Sequence, residues 1–392
     1  MHFFEKIPLA PADPIFGLNI AYAQETRPNK VNLGVGAYKT ENLKPYVLEA
    51  VRQSERRLLE MKLDKEYQPI DGDPQYLHSL LKLVLGGSSF DHIFAAQTLG
   101  GTGALRLGGQ FLVEQGMKEL FLPLPTWDNH ARVFTKAGCH VHTYPYYDPE
   151  KKALNFPKMR AFLADLPPQS VILLHGCCHN PTGSDLSFAE WKELASLIKE
   201  KQLLPFFDFA YQGFGEGIAE DRAFLQPFIE EKIEFLLAAS YSKNFGLYGE
   251  RVGALFISCR ETSQAKKVGS HIKVIIRSLY SNPPSQGSRI VRTILQDPEL
   301  SALWTEEVAK MRLRIQTMRL SLIEGLEANS AHRFSFLKEQ KGMFAYTGLS
   351  EVSVARLQEE FGIYLPKDGR VSLAGLNTHN LPFVIDAILK VI

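Results

Sequence analysis

Cysteine is scarce in this chain. There are four in 392 residues, at Cys139, Cys177, Cys178 and Cys259. They are too few and too oddly spaced for a disulfide framework, so a reducing cytoplasm is the expected home. An excess of one charge is missing as well. Lysine and arginine number 44 against 43 acids, a formal net charge of +1, which gives neither nucleic acid nor an anionic membrane a reason to bind. No apolar run approaches a membrane span, and the stretch from Met1 to Pro8 has no apolar signal core. Internal repeats and low-complexity tracts are absent. What remains is 45% apolar and 22% charged, ordinary for a soluble globular protein. The length suits one large domain with a smaller partner.

Apolar runs bounded by turn residues read as buried strands of an α/β protein. They are Ile93 to Leu99, Leu120 to Leu124, Val171 to His175, Leu203 to Tyr211, Ile233 to Ala239 and Val252 to Ile257. Helical spacing marks Ala50 to Leu63, a helix opened by a Ser187-x-x-Glu190 capping box and running to about Gln202, the long stretch Leu300 to Leu326, and Val352 to Phe361. Val31 to Tyr38, Met343 to Tyr346 and Val371 to Gly375 read as further short strands. Residues 1–30 hold Pro8, Pro11, Pro14 and Pro28 and read as an extended arm. Its apolar Phe3, Phe4, Ile7 and Leu9 need cover, for which a second subunit is the expectation.

Chemistry gathers where strands end, the place at which open α/β sheets put their ligands. Lys243 follows the strand ending at Ala239, within Ser240-Tyr241-Ser242-Lys243-Asn244-Phe245-Gly246-Leu247-Tyr248-Gly249-Glu250-Arg251. A loop lysine is ordinarily a solvated surface group. A lysine whose surroundings favour the neutral amine instead forms a Schiff base with a carbonyl, and Ser240 and Arg251 beside it supply the donors a phosphate needs. Gly100-Gly101-Thr102-Gly103 leads from a strand into a helix, whose uncapped N–H groups attract an anion. Nucleotide signatures are not met there. Arg106 stands where G-x-G-x-x-G needs its third glycine, and no Gly-Lys-Ser/Thr follows. A single phosphate fits better.

Asp208 is a lone carboxylate in an apolar run, so it is either a hydrogen-bonded structural acid or the partner of a buried cation such as a pyridinium nitrogen. Trp127, at another strand end, is either a half-buried aromatic or a stacking partner for a flat ring. His175, Cys177, Cys178 and His179 look like a metal set. Neighbours on a strand face opposite ways, however, and zinc ligands need loops between them, so no metal is expected. Asn180 and Tyr211 can each donate to a ligand oxygen. Arg370 opens the last strand, and its rigid fork suits a carboxylate. Arg277, beside a proline turn, and Tyr67, in a loop, carry little meaning alone.

Together these motifs resemble, in order and over nearly the whole chain, the aspartate and aromatic aminotransferase subfamily of fold type I pyridoxal phosphate (PLP) enzymes. They are Gly34-Val35-Gly36-Ala37-Tyr38, the Gly100 turn, Thr126-Trp127, His175 to Gly183, Asp208 to Phe214 and the lysine stretch. The resemblance implies an α/β fold with a seven-stranded, mostly parallel sheet and a smaller α/β domain from both chain ends. The expected division is an arm and first part of the small domain at 1–44, the large domain at 45–309 and the rest of the small domain at 310–392. By the same resemblance, Lys243 carries PLP covalently and moves the proton, Asp208 pairs the ring nitrogen, and Tyr211 and Asn180 contact the ring oxygen. His130 supports Asp208. Trp127 stacks on the ring. Gly101, Thr102, Ser240 and Arg251 hold the phosphate, with Tyr67 reaching in from a second subunit. Arg370, Asn180, Trp127 and the Gly36 backbone hold the substrate α-carboxylate, and Arg277 of the neighbouring subunit holds the distal one. The implied partners are amino acids, 2-oxo acids and a second copy of the chain. Lys39, Thr102 and Asn282 resemble the aspartate-preferring pattern, while Tyr248 to Arg251 and Tyr364-Leu365 resemble the aromatic branch. Aspartate is the expected substrate, with aromatic amino acids as the alternative. A non-transaminating PLP enzyme, or a ligand-binding protein without catalysis, are the readings from other classes.

Overall fold

The computed structural model describes residues 3–10, 14–87, 90–328 and 334–392. Seven strands form the central sheet: β1 (Ile93–Leu99), β2 (Glu119–Leu124), β3 (His140–Pro145), β4 (Val171–His175), β5 (Leu204–Phe209), β6 (Phe235–Ser240) and β7 (Val252–Ser258). Their order across the sheet is β1-β7-β6-β5-β4-β2-β3. β7 is antiparallel to both neighbours, and the other pairs are parallel. The expected seven-stranded, mostly parallel α/β sheet is present.

The strands are apolar throughout because both faces are covered. Successive residues go to opposite sides: Leu173, Phe206, Leu236 and Leu255 join one core, while Ile172, Phe207, Leu237 and Phe256 join the other. The helix Gly100–Glu114 covers the first face together with Thr262–Leu279. Gly108 lies against Phe206, and a Cβ there would sit 2.5 Å from the ring. This glycine lets the helix approach the sheet closely. The capping box forms as read, with Ser187 and Glu190 satisfying each other's backbone N–H groups.

Two small sheets join the chain ends. Val31–Asn32 pairs in parallel with Ile363–Tyr364, and Phe344–Tyr346 pairs antiparallel with Arg370–Ser372. The helix expected over Leu300 to Leu326 spans Pro298–Ala328 without a break. The helices read at Ala50 and Val352 run over Glu49–Glu60 and Glu351–Phe361. Only Val31–Asn32 of the first expected short strand is paired, and the last strand gives way to a 3₁₀ turn at Leu373–Gly375.

The extended reading of residues 1–30 needs correction. Pro14–Gln24 is an α-helix, because proline at the first helical position loses no hydrogen bond and no proline follows until Pro28. Asn19 and Tyr22 tie it to the chain end through Asn32 and Tyr364. Ahead of it, Phe3, Phe4, Ile7 and Leu9 are exposed, as an arm awaiting cover would be. Among the described residues no helix is long and apolar enough to cross a membrane.

Candidate active site

The carboxyl ends of β4, β5 and β6 open into a cleft of about 330 Å³. Gly36, Gly101, Thr102, Trp127, Asn180, Asp208, Tyr211, Ser240, Lys243, Arg251 and Arg370 line it together. Eleven positions expected from the sequence thus converge from segments hundreds of residues apart. His130 stands directly behind, its Nε2 2.9 Å from Asp208 Oδ2. Tyr67 and Arg277 do not reach the cleft. Both are exposed, and they share one surface patch. Arg277 bonds Ser281, whose hydroxyl meets Asn282, and Asn282 donates to Gln68 O beside Tyr67.

Lys243 is half-buried, and its Nζ lies 4.9 Å over the Tyr211 ring. Burial lowers its pKa and the nearby Arg251 charge lowers it further, while Asp208 opposes both. The net direction is toward the neutral amine, the nucleophilic form. Asp208 behaves oppositely. Burial raises its pKa, but the His130 hydrogen bond, helped by the electrostatic pull of His130, His175 and Lys243, outweighs this and leaves the carboxyl below its ordinary value.

A one-way chain of hydrogen bonds sets the His130 tautomer. The Asn180 backbone N–H can only donate, and it donates to His175 Nδ1. His175 therefore carries its proton on Nε2 and gives it to Thr126 Oγ1, 3.1 Å away. The Thr126 hydroxyl then donates to His130 Nδ1 at 2.8 Å, leaving the His130 Nε2 proton aimed at Asp208. His175 stays neutral in this arrangement. Burial, helped by His130, depresses its pKa to about 3.

The phosphate-like corner is equally specific. The helix Gly100–Glu114 has no side-chain cap and no acid in its first turn; the Gly100 N–H bonds the Arg251 carbonyl, and the N–H groups that follow it in the first turn are available for an anion. Gly101 lies against Ser240, where a Cβ would come within 2.9 Å of Ser240 Cβ. Arg251 reaches Ser242 Oγ, the Tyr248 carbonyl and the Leu99 carbonyl. Arg370, which also lines the cleft, is buried. Its fork donates to Asn180 Oδ1 at 2.9 Å and to the Gly34 carbonyl at 3.1 Å, while Nε has no partner. Among the described residues it forms no ion pair with a carboxylate.

The profile of aminotransferase class I and II matches residues 28–388. The chain belongs to this aminotransferase family. It is 43% identical over 397 aligned residues to the mitochondrial aspartate aminotransferase of Xenopus tropicalis, covering 99% of this chain and 93% of that one. It is 42% identical to the aspartate aminotransferase of Pseudomonas aeruginosa, covering 100% of each. Its fold matches that of an aromatic-amino-acid aminotransferase from Burkholderia pseudomallei, covalently bound to pyridoxal phosphate, with a TM-score of 0.97, 46% identity and full coverage of both chains. The protein is a PLP-dependent transaminase acting on amino acids and 2-oxo acids.

The groups present fit that cofactor. An amine tending to neutrality faces an ionised buried acid, and an uncapped helix start with Arg251 and two serines makes an anion corner. The cysteine–histidine run contributes differently. His179 Nδ1 bonds Thr182 Oγ1, and its ring stacks on Tyr146 at 4.1 Å. Cys177, Cys178 and Asp221 form the one potential metal cluster among the described residues. Asp221, however, already accepts backbone N–H bonds from Gly213, Gly215 and Glu216. Burial raises both thiol pKa values, Cys178 to about 11, so they stay protonated.

Sequence reading missed several residues that line or support the site. Ser242 lay inside the lysine stretch without a role, and Tyr248 was read only as part of the pattern that resembles the aromatic branch. Thr126 was read only as Trp127's neighbour. Phe344 was read only as a strand residue. The serine beside a phosphate corner was the one signal available for these.

Proposed function

We propose that this chain is an aspartate aminotransferase, moving the amino group of L-aspartate to 2-oxoglutarate to give oxaloacetate and L-glutamate in a ping-pong cycle. The observation that carries this reading is a buried guanidinium, Arg370, that lines the same cleft as Lys243 and makes no ion pair among the described residues. A substrate carboxylate completes it.

Bound in the cleft, pyridoxal phosphate supplies the carbonyl that takes the amine and a ring that accepts the electrons of the broken Cα–H bond. Lys243 Nζ anchors it and, once freed, takes and returns the Cα proton. Asp208, kept ionised by His130, pairs the ring nitrogen. Tyr211 and Asn180 hold the ring oxygen, and Trp127 covers the ring. Gly101, Thr102, Ser240 and Arg251 hold the phosphate. Arg370, Asn180, Trp127 and the Gly36 backbone orient the α-carboxylate, which places Cα–H within reach of Lys243.

Two further residues come from a second copy. Tyr67 and Arg277 lie outside their own chain's cleft on one exposed patch. We assign them to the partner's site, Tyr67 to the phosphate and Arg277 to the distal carboxylate. Each site in the homodimer is therefore shared, and the apolar arm at Phe3 to Leu9 packs across the pair. The chain divides into 1–44, 45–309 and 310–392, with the long helix Pro298–Ala328 spanning the last boundary. Four free, buried thiols support a reducing compartment, for which we propose the cytoplasm.

Borohydride reduction of the purified protein followed by peptide mass spectrometry tests the anchor. The label is expected on Lys243, and a label elsewhere, or none, removes the reading. An aromatic preference is the second reading, favoured by the 46% identity to the Burkholderia enzyme. The ratio of kcat/KM for aspartate and phenylalanine separates the two.

A further inference from the structure

We infer that Phe344 is a positioning residue for the substrate carboxylate, acting through the face of its ring on Arg370. The inference rests on the transaminase reading above and deepens it.

The two side chains meet because of strand register. Arg370 pairs with Tyr346, and Phe344 lies two residues along the same strand. Residues two apart on a strand share a face, so Phe344 and Arg370 project to one side. The Arg370 Cζ sits 4.3 Å above the Phe344 ring centroid. The ring is held on two further sides, and its backbone is tied to the long helix. A Cβ added at Gly36 would come 3.1 Å from its Cζ. The Tyr211 ring meets it edge-on, with centroids 6.1 Å apart at 80°. Its own carbonyl accepts a 3.0 Å bond from Arg319, a buried arginine on the long helix.

A buried guanidinium must be compensated for its lost hydration. A carboxylate would do this, but it would occupy the in-plane N–H edge that the substrate needs. An aromatic face stabilises the cation from above the plane and leaves every in-plane N–H available. Two of those edges serve Asn180 and Gly34, and the unpartnered Nε remains. The nearby Asp368 is exposed, its Oδ1 accepts the Arg370 backbone N–H, and it feels the Arg370 charge at a distance without an ion pair to the guanidinium among the described residues. Phe344 thus holds Arg370 aimed without competing for its anion. The α-carboxylate is common to all amino acids, so this effect is the same for aspartate and phenylalanine.

The test uses the PLP-loaded enzyme and a non-reacting dicarboxylate, maleate, titrated calorimetrically. Phe344→Leu is expected to weaken maleate binding by about 5- to 30-fold and to raise KM for aspartate and phenylalanine alike, with kcat changed less. A second series replaces Phe344 with phenylalanines carrying one, two and three ring fluorines, which withdraw charge from the face at nearly constant size. The dissociation constant is expected to rise stepwise with fluorine number. A flat fluorine series overturns the inference, whatever Phe344→Leu does, because packing alone is blind to the ring charge. If wild-type enzyme transaminates neither amino acid, the functional reading itself fails.

Discussion

The two arginines assigned to substrate carboxylates sit in opposite surroundings. Arg370 is buried in its own chain's cleft, forked onto Asn180 and Gly34 and backed by Phe344. Arg277 is exposed on a helix end, with Ser281 and Asn282 as its contacts. Tyr67 beside it is 81% exposed. On the assignment proposed above, the difference teaches that one half of the site is finished within a single chain and the other half faces outward. A group completed internally shows its partners, whereas a group meant for a neighbour shows only the anchoring that holds it still.

Mixing variants breaks or sharpens this comparison most directly. Lys243→Ala and Arg277→Ala proteins, the first inactive and the second strongly impaired toward aspartate alone, are expected to regain about a quarter of wild-type activity when unfolded and refolded together. Half of the random pairs then carry one intact site. No recovery in that assay contradicts shared sites. Next in size, Arg370→Gln should lower kcat/KM for aspartate and phenylalanine together by roughly 10²-fold. Arg277→Ala should cost aspartate on the order of 10- to 100-fold while leaving phenylalanine within about twofold. Equal losses from Arg277→Ala would erase the distinction between the two arginines.

The buried side of the comparison also predicts a pH response. The folded pKa of His175, about 3, lies below its ordinary value of 6.5 because burial disfavours the imidazolium form. Between those values the unfolded chain binds a proton that the folded chain refuses. Stability contributed by neutral His175 is therefore complete above pH 6.5 and is lost as pH falls toward 3, at up to ~1.4 kcal/mol per unit. His179 shifts the same way for the same reason. Urea unfolding of wild type and His175→Gln between pH 7.5 and 5 checks this, with the shallower slope expected for the variant. The smallest effect lies on the solvent side of the edge strand β3. Glu119 bonds His140 and His142 there, all three exposed. Glu119→Gln should leave Tm unchanged, since surface pairs of this kind are screened and side-chain order is lost in making them.

Much of the fold was legible because it is written locally. β1 was read to the residue, and the Ser187 capping box formed as its spacing required. β3 was not read, because its His-Val-His-Thr-Tyr-Pro sequence is largely exposed at the sheet edge and has no apolar run. The helix Pro14–Gln24 was masked by flanking prolines, which end helices but also begin them. Phe344 was visible as a strand residue only. Its place under Arg370 depends on a register that no stretch of sequence around either residue records.

Residue order dictated the ingredients. It set apolar strands that must be covered on both faces, and chemically active groups stationed just past their ends. Those choices rest on local periodicity and on the cost of burying charge, both readable along a line. The packed fold dictated the rest. It turned Arg370 inward and left Arg277 outside, threaded a proton-donating chain from Asn180 to Asp208, and slid an aromatic ring beneath a bare cation. Each of these needs segments far apart in the chain to meet, and contacts of that kind exist only once the whole core has closed.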